Sequence, residues 1–249
     1  MMTYGTAMLE APLIFALELV ILYVAGSYVT GRMAGLLGFR SSGAGILGRV
    51  AFYLLVLPGV ILHETAHYLA CLLTRTKVLR FVPFSPQRSD SGRLVLGYVR
   101  HERRSLPIRA IIGLAPILLN PLGILLVTAL LTPLTFAEVA NPRLEVIRED
   151  ILTSGFLTGS PLVAVVWAYL SLSFALGSVP SREDLSSLPA ALLLFGAGVL
   201  LVSVLREGSE GGIAAAFYDL CTVAARAYSL PASVAAVAAV MIGLWGRTT

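Results

Sequence analysis

The sequence predicts an all-α membrane protein: a polytopic helix bundle of about six spans, with a small β-hairpin after the second span. Three observations carry that prediction. Hydrophobic residues make up 57% and charged residues 13% of the 249 positions, with a mean hydropathy of +0.86, well above the apolar share and below the charged share of a soluble globular domain. Apolar runs at 11–30, 50–73, 108–131, 161–179 and 188–205 approach or exceed the ~20 residues that cross a ~30 Å hydrocarbon core, and a shorter sixth lies at 230–246. Between the second and third runs, "KVLRFVPFSPQRSDSGRLVLGYVRH" holds two strand-like stretches, 78–84 and 93–99, around the turn-rich "SDSG".

Taken in order, the first run has no basic region before it and no small-residue cleavage site, so it reads as a retained span. Glu18 within it reads as a packed polar residue. The second run, ending in "VILHETAHYLACLL", contains His63, Glu64 and His67. Polar groups at membrane depth cost several kcal/mol unless compensated, and so mark a functional site. The third run is interrupted by "GLAPILLNPLG", where Asn120 precedes Pro121. The fourth ends in "SVPSREDL". Residues 211–229 set Asp219, Thr222 and Arg226 at helical spacing, a polar stripe suited either to the membrane interface or to inward packing. Spans and short connections use almost the whole length, leaving no room for an appended soluble domain of the usual ~50 residues; residues 1–249 read as one domain. Cys71 and Cys221 lie in apolar segments with no CxxC partner, which indicates two small buried hydrophobes.

The net charge of +4 is better read through topology than as affinity for nucleic acid. Arg75, Lys77, Arg80, Arg88, Arg93, Arg100, Arg103, Arg104 and Arg109 are nine of the 18 basic residues, and short loops with such an excess stay cytoplasmic. The expected localisation is a multi-pass protein of the cell membrane with 77–104 and the N-terminus inside. The loop at 132–160, richer in acids than bases, then lies outside. Arg32, Arg40 and Arg49 fall on the outer side in this scheme, against the trend.

On a helix, His63 and His67 project from one face a turn apart, so their imidazoles can converge on one metal ion, and Glu64 beside them can accept a proton from water activated there. This is the HExxH arrangement of two zinc ligands and a general base. Zinc suits the chemistry because it lowers the pKa of water and polarises a peptide carbonyl. With three His and ten Glu in the chain, random order would produce the pattern only about 0.0015 times. The competing account is a helix whose histidines pair with neighbouring backbone or side chains.

At this point the chain resembles the site-2 protease family of intramembrane zinc metalloproteases. The resemblance rests on "HETAH" in an early span, the strand-like loop after it, and a later polar break at the cytoplasmic end of another span. It covers the order of elements over roughly 50–205. It implies cleavage of membrane-embedded protein segments at one zinc per chain, bound by the two histidines and an aspartate from a later helix. The family's usual "LDG" is absent. "SVPSREDL" is the best match, which carries Asp184 over as the third ligand; Asp219, Glu183, His101 and Asp90 are alternatives, and an N-cap or solvated charge beside Arg182 is the plain reading of Asp184. The family often has Gly-Pro-x-x-Asn in the span after the hairpin. Asn120 follows Pro116 at one residue's greater spacing and reads either as an oxyanion or substrate contact or as a locally satisfied kink. Cys71 reads as packing. The hairpin would offer a strand edge to an unwound substrate segment, or else be a basic loop near headgroups.

The expected activity is therefore hydrolysis of peptide bonds in membrane-embedded proteins, with His63, His67 and Asp184 on zinc, Glu64 as the catalytic base, and a transmembrane protein substrate and the lipid bilayer as partners. Three other readings stand beside it. One is a prenyl-protein protease, which also carries HExxH in a membrane but takes a glutamate as third ligand. The others are a catalytically silent relative and an ion- or proton-coupled transporter.

Overall fold

The computed structural model describes residues 4–36, 46–88, 94–131 and 160–179, together with Asp184, Ala197, Cys221, Thr222, Ala232, Ala236, Ala239, Val240 and Gly243. Most of these residues are helical. Helix α1 covers Tyr4–Leu36, α2 Ile46–Leu73, α3 Leu106–Leu131 and α4 Pro161–Gly177, so each of the first four apolar runs lies largely in a helix. Two of the four, α2 and α3, are long and apolar enough to cross a membrane. The run at 188–205 lies almost wholly outside the described residues, as do most of 211–229 and most of 230–246.

Helices α2, α3 and α4 pack mutually, and α1 leans on α4. Leu22 and Ala25 of α1 meet Ile124 of α3 and Ala175 of α4 in one apolar cluster. The periodicity of α3 shows how the bundle sorts its faces: Ile112, Pro116, Asn120, Ile124 and Thr128 are buried, while Leu118, Leu122, Leu126 and Leu130 are exposed. A continuous leucine stripe on the outside is a face for an apolar surrounding. The inner face of α2 runs through Phe52, Val56, Gly59, His63, His67 and Ala70, so the same 3.6-residue period that buries the apolar residues also buries the histidines.

α2 and α4 cross at small residues. A Cβ on Gly59 would overlap the Ser173 carbonyl, and one on Gly177 would overlap the Gly59 backbone, so only glycine permits this approach. The Ser173 hydroxyl accepts the Gly59 N–H at 2.9 Å. Pro58, inside α2, has no N–H for the Leu54 carbonyl, and the Tyr169 hydroxyl of α4 donates to it instead at 2.6 Å.

α2 ends in two crossed backbone bonds, Thr76 N–H to the Cys71 carbonyl and Arg75 N–H to the Leu72 carbonyl. Arg75 takes the left-handed conformation at φ 52°. This is a Schellman stop with arginine where glycine is usual, so no glycine announces it in the sequence. Strand β1 (Val78–Val82) begins shortly after and pairs antiparallel with β4 (Tyr98–His101), with a register irregularity between Val78 and Arg80. Between them β2 (Gln87–Arg88) pairs with β3 (Leu94–Val95). The hairpin read from the sequence is therefore present, but as two short ladders nested one inside the other. Pro83 and Pro86, which cannot donate to a ladder, separate β1 from β2. The outer ladder sits on Cys71 and Ile112 through Val78 and Val99, and Phe81 stacks on Tyr68 at 4.8 Å. The inner part, through Phe84, Leu94 and Leu96, packs on Phe52 and Val56. The hairpin thus doubles back alongside α2 instead of projecting from its end.

Candidate metal centre

The site forms where α2, α3 and the end of α4 meet Asp184. His63, Glu64 and His67 are each 8% exposed, and each imidazole is held through its Nδ1 by a backbone carbonyl of a neighbouring helix. His63 Nδ1 donates to the Gly177 carbonyl at 2.6 Å, and His67 Nδ1 donates to the Ile112 carbonyl at 2.9 Å. Both acceptors are available for a backbone reason. Gly177 is the last residue of α4, where carbonyls lack intrahelical partners. The Ile112 carbonyl would normally take the N–H of residue 116, and that residue is Pro116.

With the proton on Nδ1 in each neutral ring, both Nε2 atoms present lone pairs, and the two are 3.1 Å apart. Asp184 closes the group, with Oδ1 3.1 Å from His67 Nε2 and Oδ2 3.4 Å from His63 Nε2. Each distance is close to the about 3.3 Å ligand–ligand edge that bonds of about 2.0–2.1 Å give a tetrahedral centre, the two to Asp184 being made by different carboxylate oxygens. Two bare nitrogens and a carboxylate converging in a buried space require a cation or protons between them. The donor set, two imidazoles and one carboxylate, is one that divalent transition metals accept. His63, His67 and Asp184 form the metal-competent group found among the described residues.

Glu64 does not join that group. Its stem lies against the hairpin: a Cβ on Gly97 would come within 2.8 Å of Glu64 Cγ and 2.8 Å of the Pro83 carbonyl. The turn between β3 and β4 therefore approaches Glu64 at backbone distance.

Of the other ligand candidates, His101 lies on β4 with Nδ1 donating to the Glu102 carbonyl at 2.8 Å and is not part of the group. Asp90, Glu183 and Asp219 lie outside the described residues. Asn120 is fully buried, and its Nδ2 donates to the Pro116 carbonyl at 3.0 Å and reaches the Gly177 carbonyl at 3.4 Å. It therefore links the kinked part of α3 to the carbonyl that holds His63, while its buried Oδ1 has no hydrogen-bond partner among the described residues. Cys71 packs in the core with Ala70 and Ile112. Glu18 Oε2 has no hydrogen-bond partner among the described residues.

Neither the two carbonyls nor Gly97 carries a motif in the sequence. The signal for one of them is Pro116, since a proline inside an apolar helix frees the carbonyl four residues earlier. No protein-family model, curated protein or solved structure matches the chain.

Proposed function

We propose that this chain is a multi-pass membrane zinc metalloprotease, similar to the site-2 proteases, that hydrolyses peptide bonds of membrane-embedded protein segments. The observation that supports it most is the convergence of His63, His67 and Asp184, whose ligand atoms lie within 4.8 Å of one another, with a buried glutamate next to the first histidine. Three protein ligands leave one position for water or substrate, as catalytic zinc requires.

Zinc held there would polarise a carbonyl and acidify water. The chain's own residues do the rest. Glu64 takes the proton of the attacking water and hands it to the leaving amine. The carbonyls of Ile112 and Gly177 hold the two rings so that Nε2 faces the centre. A transmembrane substrate hides its amides in its own helix, and β1, which pairs on one side with β4, offers its other edge to the unwound segment.

The test is purification in detergent with zinc quantification and cleavage of a fluorescent transmembrane-segment reporter. Wild type should carry about one zinc per chain, and Glu64→Gln should retain it while losing cleavage by about 10²-fold or more. Unimpaired cleavage by Glu64→Gln would contradict the protease reading. A wild type without zinc would favour the transporter reading.

A further inference from the structure

We propose that Pro116 is a positioning residue for His67: by having no N–H it reserves the Ile112 carbonyl for His67 Nδ1, and so directs His67 Nε2 to the metal. The inference rests on the metal-centre reading above.

Within α3, any other residue at position 116 would bring an N–H to the Ile112 carbonyl. Proline cannot, and the His67 ring sits there at 2.9 Å. A carbonyl oxygen only accepts, so this bond selects the tautomer protonated on Nδ1. The opposite tautomer would leave Nδ1 without a proton against that oxygen and put one on Nε2, where it would donate to Asp184 Oδ1 at 3.1 Å and occupy the lone pair a metal needs. His63 does not depend on this device, because its acceptor is the helix-terminal Gly177 carbonyl.

The same bundle contains a control. Pro58 frees the Leu54 carbonyl, and the donor that occupies it, the Tyr169 hydroxyl at 2.6 Å, is not a metal ligand. The two prolines share the backbone effect and differ in what the freed carbonyl holds. A general consequence of straightening a helix should appear in both variants, and a positioning effect in one.

The experiment compares wild type, Pro116→Ala and Pro58→Ala as full-length protein in detergent, by zinc titration against a competing chelator and by 15N spectra of histidine-labelled protein at a pH where the rings are neutral. Three histidines in the chain keep the spectra simple, and His101→Gln removes one signal. Pro116→Ala should weaken zinc binding roughly 10–100-fold and mix the tautomers of His67 while His63 keeps its proton on Nδ1; Pro58→Ala should leave both readouts at wild-type values. Wild-type affinity and an unmixed His67 tautomer in Pro116→Ala would overturn the proposal, as would equal weakening by both variants. Should Pro116→Ala not fold, the spectrum of zinc-stripped wild type decides alone, since zinc on Nε2 would itself force the proton to Nδ1: His67 protonated on Nδ1 without zinc supports the assignment and protonation on Nε2 overturns it. A wild type that binds no zinc refutes the metal centre, and the tautomer measurement still decides the role of Pro116.

Discussion

Gly97 lies directly against Glu64: a Cβ at position 97 would stand 2.8 Å from Glu64 Cγ, with the Pro83 and Val82 carbonyls 2.8 and 3.0 Å away. Two of those three neighbours are backbone and cannot swing aside. Gly97→Val should therefore displace either the glutamate or the hairpin. Because Glu64 is outside the ligand group, the expected result is a fall in reporter cleavage of about tenfold or more with zinc retained. Equal loss of zinc and activity would mean that the hairpin supports the ligands and not the base.

The α2–α4 crossing gives a prediction about stability. Gly59→Ala forces a methyl into the Ser173 carbonyl, and overpacking of this kind costs about 1–3 kcal/mol. Ser173→Ala instead removes the acceptor of the Gly59 N–H, at about 1 kcal/mol. Unfolding in detergent should rank Gly59→Ala as the more damaging. The reverse order would show that the helices separate at little cost.

Topology is testable at the base of the hairpin, where Glu102 N–H bonds the Lys77 carbonyl and Arg103 is exposed. The basic excess predicts that this end is cytoplasmic. An engineered Arg103→Cys, in a background lacking Cys71 and Cys221, should resist an impermeant thiol reagent in intact cells and react after permeabilisation. Labelling in intact cells would invert the scheme.

Residues differed in how far the sequence revealed them. His63, Glu64 and His67 were legible because helical spacing alone puts the histidines on one face. Asp184 was not legible from spacing; it comes from a distant segment, and only the resemblance pointed to it over Asp219 or His101. The hairpin was legible as alternating apolar runs around a turn, but not its division into two ladders. What orients the rings is backbone: the carbonyls of Ile112 and Gly177 carry no side-chain signature, and one shows itself only through a proline four residues on. Gly59 and Gly97 were ordinary glycines until the structure gave them neighbours.

If His63, His67 and Asp184 form one metal centre, Asp184 is the ligand whose loss tests it most sharply, because it alone comes from outside α2. The most direct measurement is the zinc content of purified Asp184→Asn beside wild type and Glu64→Gln, with folding checked by helix content and elution in detergent. Wild type and Glu64→Gln should each hold about one zinc, while folded Asp184→Asn should lose most of it. Full zinc occupancy in a folded Asp184→Asn would contradict the account, and loss in Asp219→Asn at the same time would move the third ligand to the C-terminal region.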